Sequence, residues 1–163
     1  MRNAKILLLT MIPFLWGFIP TVFVESAWVN TLYFRYVHVW EIAFILFWGW
    51  VGSYCGRAGQ KAYKSILIGN ATWLLSLGLY VWQFQLLDGT QRSAGILSLL
   101  PQLFPFGVLS TVFKMMTLFT RNITQNSGFI LCYLYMLGIF LIGFYFGRMP
   151  RARQGSPAGT WQA

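Results

Sequence analysis

Three ionisable side chains stand close together at the start of an apolar run. Arg35, His38 and Glu41 are spaced by threes, so on a helix they share one face and His38 can reach either charged neighbour. Histidine changes its charge near neutral pH. A carboxylate about one turn inside an apolar boundary is costly unless it takes up a proton or finds a partner. The spacing therefore suggests a proton- or cation-sensitive site at the outer mouth of a membrane helix.

The same cluster also has a structural interpretation. Arg35 and Glu41 can extend to the lipid headgroups or pair with a basic residue elsewhere in the chain, Lys114 or Arg92. The structural interpretation is favoured because the cluster lies at the edge of the apolar run, where charged side chains ordinarily reach the interface.

A second set of polar residues recurs at helical spacing within residues 94–119. Small or polar side chains fall three and four apart while large apolar ones fill the remaining arc, which is typical of an amphipathic helix. The members of this polar stripe are Gly107, Ser110, Thr111, Lys114 and Thr117. The stripe can line a pocket for a small anion or a lipid headgroup. The wet side of an interfacial helix is the favoured alternative.

Small and amide residues in the other apolar runs predict helix contacts. Gly49, Gly52 and Gly56 line up, and the last two form a GxxxG motif that allows close approach of another helix. Packing within the chain is favoured over dimerisation. Asn70 lies in a third apolar run, where a hydrogen bond to another helix accounts for it.

The chain offers little material for catalysis or metal binding. It has one histidine and three acidic residues, so a zinc site with three protein ligands would recruit nearly all of them. His38 and Glu41 form an HxxE pair, which is half of a metal site at best. Cys55 and Cys132 lack metal or redox spacing and are expected to be buried free thiols. We expect no enzyme activity, no metal and no cofactor.

Composition predicts an integral membrane protein with the lipid bilayer as its principal partner. Of 163 residues, 57% are hydrophobic and only 9% are charged, with a mean hydropathy of +0.60. A soluble domain has about a quarter of its residues charged. The net charge of +9 would suggest nucleic acid in a soluble protein, but here the basic residues flank apolar runs, so no nucleic acid is expected.

Four apolar runs predict transmembrane helices in a single domain, residues 1–147. The first run is too long and too often interrupted by proline for a cleaved signal peptide. Residues 28–36 are aromatic and predict an interfacial connector. Residues 148–163 form a basic tail that we expect to be disordered. The predicted spans are residues 6–24, 37–54, 66–84 and 128–147.

Residues 94–119 decide the topology. Pro101 and Pro105 argue against a continuous helix, yet the uncharged part alone is long enough to cross a hydrocarbon core of about 30 Å. If the segment does not cross, eight of the twelve basic residues lie on the side of the amino terminus and all three acids lie opposite. If it crosses, the basic residues divide seven to five. The positive-inside rule favours the first arrangement.

The predicted fold is therefore all-α: a four-helix transmembrane bundle plus a re-entrant or interfacial helix, with five transmembrane helices as the alternative. We expect both termini in the cytoplasm and a bacterial plasma membrane as the location. The expected function is that of an accessory, regulatory or self-protection component that contacts another membrane protein or a second copy. The alternative is a small oligomeric transporter or channel with an ion-sensitive outer mouth.

Overall fold

The computed structural model describes residues 2–23, 27–58, 61–88, 96–119 and 124–149. These residues are almost entirely helical and contain no strand, so the all-helical prediction is confirmed. A π-helical turn, Trp82–Leu86, extends the fourth helix, and a 3₁₀ turn, Phe104–Val108, joins the fifth to the sixth. The described helices are α1 (Arg2–Phe23), α2 (Ala27–Gly56), α3 (Ala62–Gly69), α4 (Ala71–Val81), α5 (Ile96–Leu103), α6 (Leu109–Phe119) and α7 (Gln125–Arg148).

Three described helical stretches are long and apolar enough to cross a membrane: Arg35–Gly56, Leu97–Leu118 and Asn126–Arg148. A fourth is obtained when α3 and α4, which meet at a bend of 56°, are counted as one span. Several helices able to span a membrane were predicted, and the structure contains helices of sufficient length and apolarity. These candidate spans differ from the predicted spans in two ways. Residues 97–118 qualify by length and hydropathy, whereas the apolar part of α1, Ala4–Ile19, is too short to qualify.

Two helices begin earlier than predicted. Residues 28–36, predicted as a connector, belong to α2, since no glycine or proline interrupts the chain between Ala27 and Trp48. Helix α7 begins at Gln125 and not at residue 128, because the Thr124 hydroxyl caps it by accepting from the Ser127 N–H at 3.3 Å. Most of the predicted tail, residues 150–163, lies outside the described part of the chain.

The α-helix is interrupted at the two prolines, as predicted: α5 and α6 are separated by a 3₁₀ turn that contains Pro105. Pro101 lies inside α5, and the backbone tightens into the 3₁₀ turn at Phe104 before α6 begins. Pro105 has no N–H, so the carbonyl of Pro101 loses the donor that a helix would place four residues on. The Tyr133 hydroxyl donates to that carbonyl at 2.6 Å. A side chain of α7 therefore replaces the missing backbone hydrogen bond.

Asn70 lies at the bend between α3 and α4. Its backbone leaves the helical region, and its side-chain amide donates to the Ile66 carbonyl at 3.0 Å, one turn earlier in α3. The predicted bond to another helix is thus replaced by one within its own segment. Asparagine competes in this way for helix carbonyls, and the preceding Gly69 is a weak helix former, so the bend follows from the local sequence.

Helices α2 and α7 pack closely and run in the same direction. The Trp48 indole donates to the Met136 carbonyl at 2.9 Å, and farther along Gly52 lies against the Phe140 carbonyl. A Cβ atom on Gly52 would collide with the α7 backbone, and the same is true at Gly56. The helices approach this closely because no side chain stands between their backbones.

Helices α1, α4 and α6 run opposite to α2 and α7. In α1, Trp16 stacks near Trp40, with ring centroids 4.6 Å apart, while the earlier Leu9 lies beside the later Trp50. In α4, Trp73 donates to the Tyr133 carbonyl, and the later Tyr80 lies against the earlier Phe129. Helix α6 is also antiparallel to α2, as its contacts with His38 and Glu41 show below.

These directions define two ends of the bundle. We call the end where α2 and α7 begin the Glu41 end, and the end where they finish the Gly56 end. Helices α4 and α6 both finish at the Glu41 end. The core between the two ends consists largely of aromatic side chains, with Trp48, Phe104, Tyr133 and Phe140 all fully buried.

Candidate functional site

Glu41, which is buried, and Thr111, which is partly buried, form the inner half of a polar cluster that links α2 to α6. Glu41 is only 1% exposed, and its two oxygens accept from Thr111: Oε1 from the backbone N–H at 3.0 Å and Oε2 from the hydroxyl at 2.8 Å. Thr111 is the third residue of α6, directly after the 3₁₀ turn that contains Pro105.

His38 and Lys114 form the exposed half of the same cluster. His38 lies one turn before Glu41, with Nδ1 3.8 Å from Glu41 Oε2 and a side chain that is 57% exposed. Its Nε2 lies 2.7 Å from the Lys114 ammonium nitrogen. An ammonium group only donates, so in this contact Nε2 accepts and the ring N–H lies on Nδ1, facing Glu41. We call these four residues, Lys114, His38, Glu41 and Thr111, the Glu41 clasp.

The clasp joins part of the ionisable cluster predicted on α2 to part of the polar stripe predicted on α6. The interpretation in which Glu41 reaches the headgroups or pairs with Lys114 is wrong, because Glu41 is buried against Thr111 and Lys114 contacts His38. Arg92, the other suggested partner, lies outside the described residues. Arg35 is exposed, with its guanidinium 5.8 Å from the centre of the Tyr36 ring.

The rest of the stripe has separate roles. Gly107 lies against the ring of Phe44, where a Cβ atom would collide with it. Ser110 is half-buried. Thr117 is exposed, and its hydroxyl donates to the Lys114 carbonyl at 2.7 Å within the same helix. The stripe therefore does not act as one surface, because its inner members pack against α2 while Thr117 lies at the periphery.

The predicted helix-contact glycines lie in the interface between α2 and α7. Gly143 and Gly147 supply the other side, where added Cβ atoms would collide with the carbonyls of Gly49 and Ser53. Sequence reasoning missed this second pair, although Gly143 and Gly147 form a GxxxG motif of their own. At Gly49 itself a Cβ would meet only a side chain, at 3.7 Å.

A second buried polar group centres on Tyr133. Its hydroxyl donates to the Pro101 carbonyl and lies 2.6 Å from the Ser76 hydroxyl, which must therefore be the donor in that contact. Near it, the Thr72 hydroxyl donates to the Thr10 carbonyl at 2.7 Å. The sequence signal was present, since Pro105 frees a carbonyl that needs another donor in an apolar interior. The donor itself could not be identified from the sequence.

Within the described residues, no group of three or more histidine, cysteine or acidic side chains could hold a metal ion. Cys55 and Cys132 are free and buried. No family model, curated protein or solved structure matches this chain. The candidate functional site is therefore the Glu41 clasp, in which polar contacts connect the exposed ammonium of Lys114 to the buried carboxylate of Glu41.

Proposed function

We propose that this protein is a non-enzymatic, multi-pass membrane component that works through contacts, as an accessory, regulatory or self-protection subunit. The observation that carries the proposal is that the buried polar side chains form hydrogen bonds between neighbouring helices. Glu41 accepts from α6, Thr72 donates to α1, and Ser76 donates to Tyr133. A solute path would need such groups turned toward an aqueous lumen, whereas here they join neighbouring helices.

We further propose that α1, α2, the bent pair α3–α4, and α7 cross the membrane while residues 96–119 re-enter it. If residues 97–118 crossed in series with the other spans, α7 would run opposite to α2. The two helices instead run in the same direction, since Trp48 contacts Met136 and Gly52 contacts Phe140. Whatever connects α4 to α7 must therefore leave and return on one side.

The depth of the contacts supports the re-entrant arrangement. The Phe104 ring, in the proline turn, lies 6.2 Å from the ring of Tyr133, which is nine residues into α7. From there α6 returns toward the start of α7, where Gly128 lies against the Phe113 ring. The segment thus enters to about the middle of the bundle and comes back.

Charge supports an orientation for this arrangement. The Gly56 end carries only basic charges among the described residues, whereas the described acids, Glu41 and Asp88, lie toward the Glu41 end. Under the positive-inside rule, this distribution supports a cytoplasmic location for the Gly56 end and for both termini. The basic residues concerned are Lys5, Arg57, Lys61, Lys64 and Arg148.

Cysteine labelling tests the orientation with little background, because both natural thiols are buried. A membrane-impermeant maleimide should leave Ser156→Cys unlabelled in intact cells and label it after permeabilisation. Asp88→Cys, at an exposed position, is the matched control and should be labelled in intact cells. The reverse pattern would overturn the orientation.

Affinity purification tests the contact function. The full chain, released in a mild detergent with and without prior cross-linking, should bring down a second membrane protein or a second copy at constant stoichiometry. Recovery of the monomer alone under several lipid conditions would overturn the proposal.

A small proton- or ion-linked transporter is the second candidate, and the clasp is the observation that favours it. His38 and Lys114 connect an exposed surface to a buried carboxylate, which is the arrangement expected of an intramembrane relay. Protein reconstituted in liposomes would then give a saturable flux that Glu41→Gln or His38→Ala abolishes. Absence of flux in wild-type vesicles would exclude this candidate.

A further inference from the structure

An apolar groove opens between α1 and α2 toward the Gly56 end, far from the Glu41 clasp. Leu8 and Leu9 form one wall and Trp50 and Tyr54 the other, with Lys5 at the groove as well, around a volume of about 330 Å³. The rings of Trp50 and Tyr54 stack with centroids 5.8 Å apart, so the second wall is a continuous aromatic surface. We call this space the α1–α2 groove.

The lining determines what kind of ligand fits. Its surface is almost wholly apolar, so the part of the ligand inside it must be hydrocarbon. Leu8 is 71% exposed and Trp50 50% exposed, so the groove opens sideways from the bundle, toward the bilayer. Its volume lies at the small end of the range for ligand pockets, roughly 300–1,000 Å³. The groove therefore has room for one section of an acyl chain.

The charge at the groove determines the headgroup. Lys5 lies one helical turn before Leu8 and Leu9, and a lysine stem can follow apolar surface while its ammonium reaches the headgroup level. No described acid lies next to Lys5 in the groove lining to neutralise it. The Tyr54 ring stands at the same depth, where tyrosine is suited to the boundary between hydrocarbon and headgroups.

We propose that the α1–α2 groove binds one anionic phospholipid of the surrounding bilayer. One acyl chain lies against Leu8, Leu9 and Trp50, and the phosphate pairs with the ammonium of Lys5. The groove shares no residue with the clasp, and its test does not depend on the contact function proposed above.

Native mass spectrometry of the full chain tests the headgroup. The protein is titrated in mild detergent with phosphatidylglycerol or with phosphatidylcholine carrying the same acyl chains. Wild-type protein should retain one phosphatidylglycerol molecule preferentially. Lys5→Ala should weaken phosphatidylglycerol binding about fivefold, the equivalent of about 1 kcal/mol for one basic residue at an anionic headgroup. Phosphatidylcholine binding should not change.

The matched control for charge is Lys64→Ala, which removes an exposed lysine outside the groove. This variant should bind phosphatidylglycerol like the wild type. An equal loss in Lys5→Ala and Lys64→Ala would show a diffuse charge effect and overturn the proposal. Equal affinity of the wild type for the two lipids would overturn it as well.

A second pair of variants tests the acyl site. Leu8→Trp fills the groove from its exposed side and should weaken both lipids at this site. Leu7→Trp, at an exposed position on the same helix outside the groove, should leave binding unchanged. Unaltered binding by Leu8→Trp would place the lipid elsewhere. Size-exclusion profiles of all variants, matching the wild type, ensure that folded proteins are compared.

Discussion

Tyr133→Phe removes one hydroxyl and keeps the ring, so it isolates the hydrogen bond that compensates for Pro105. In the variant the Pro101 carbonyl has no donor, because Pro105 lacks an N–H and the surroundings are buried. An unsatisfied buried acceptor costs about 1–3 kcal/mol. The Ser76 hydroxyl also loses its acceptor, but it can turn back to a carbonyl of its own helix at little cost. We expect a loss of about 2 kcal/mol in the free energy of unfolding.

Pro105→Ala supplies the matching half of a double-mutant cycle. An alanine at this position restores a backbone N–H near the Pro101 carbonyl, so the carbonyl no longer depends on Tyr133. In that background Tyr133→Phe should cost about 1 kcal/mol less than in the wild type, a coupling within the range found for contacting residues. The separate effect of Pro105→Ala on the helix cancels in the cycle.

The assay is reversible unfolding in mixed micelles with increasing denaturing detergent, followed by far-UV circular dichroism for the four proteins of the cycle. Thr72→Val is the control, because the hydrogen bond that it removes, to the Thr10 carbonyl, shares no atom with Tyr133 or residue 105. Equal costs of Tyr133→Phe in the two backgrounds would refute the reasoning, as would a cost below about 0.5 kcal/mol in the wild-type background, which is the scale of a neutral surface change.

Two further pairs of substitutions test the helix contacts with the same assay. Gly143→Ala should lower the free energy of unfolding by about 1–3 kcal/mol, because its Cβ would meet the Gly49 backbone carbon at 2.8 Å and force α2 and α7 apart. Gly138→Ala, where a Cβ meets nothing within 4 Å, should cost nothing; equal losses would contradict the close packing. Thr111→Val should cost about 1.5–3 kcal/mol by removing a donor to the Glu41 carboxylate. Thr111→Ser keeps the donor and should retain most of that stability, and a Ser variant as weak as Val would rule out the hydrogen bond.

The helices and their apolar runs could be predicted from the sequence because they depend on local composition and on the length needed to cross a bilayer. The contacts that hold the candidate site could not, because each joins distant parts of the chain. Thr111 lies 70 residues from Glu41, and Tyr133 lies 32 residues from Pro101. A proline indicates that a carbonyl needs a donor, but no local pattern shows which side chain supplies it.

The pairing of Glu41 shows why opposite charge alone is a poor guide to partners in an apolar helical bundle. Opposite charge suggests Lys114 as the partner of Glu41. In the structure Glu41 instead contacts Thr111, which lies one helical turn deeper on α6, while Lys114 contacts His38. A buried carboxylate needs donors at its own depth, and Thr111 offers both a backbone N–H and a hydroxyl there. The lysine remains one turn farther out, where its ammonium stays near water and meets the exposed His38. Depth within the bundle therefore decides the partner. The two clasp contacts together fix α6 antiparallel to α2, which is the direction that the proposed re-entrant segment requires.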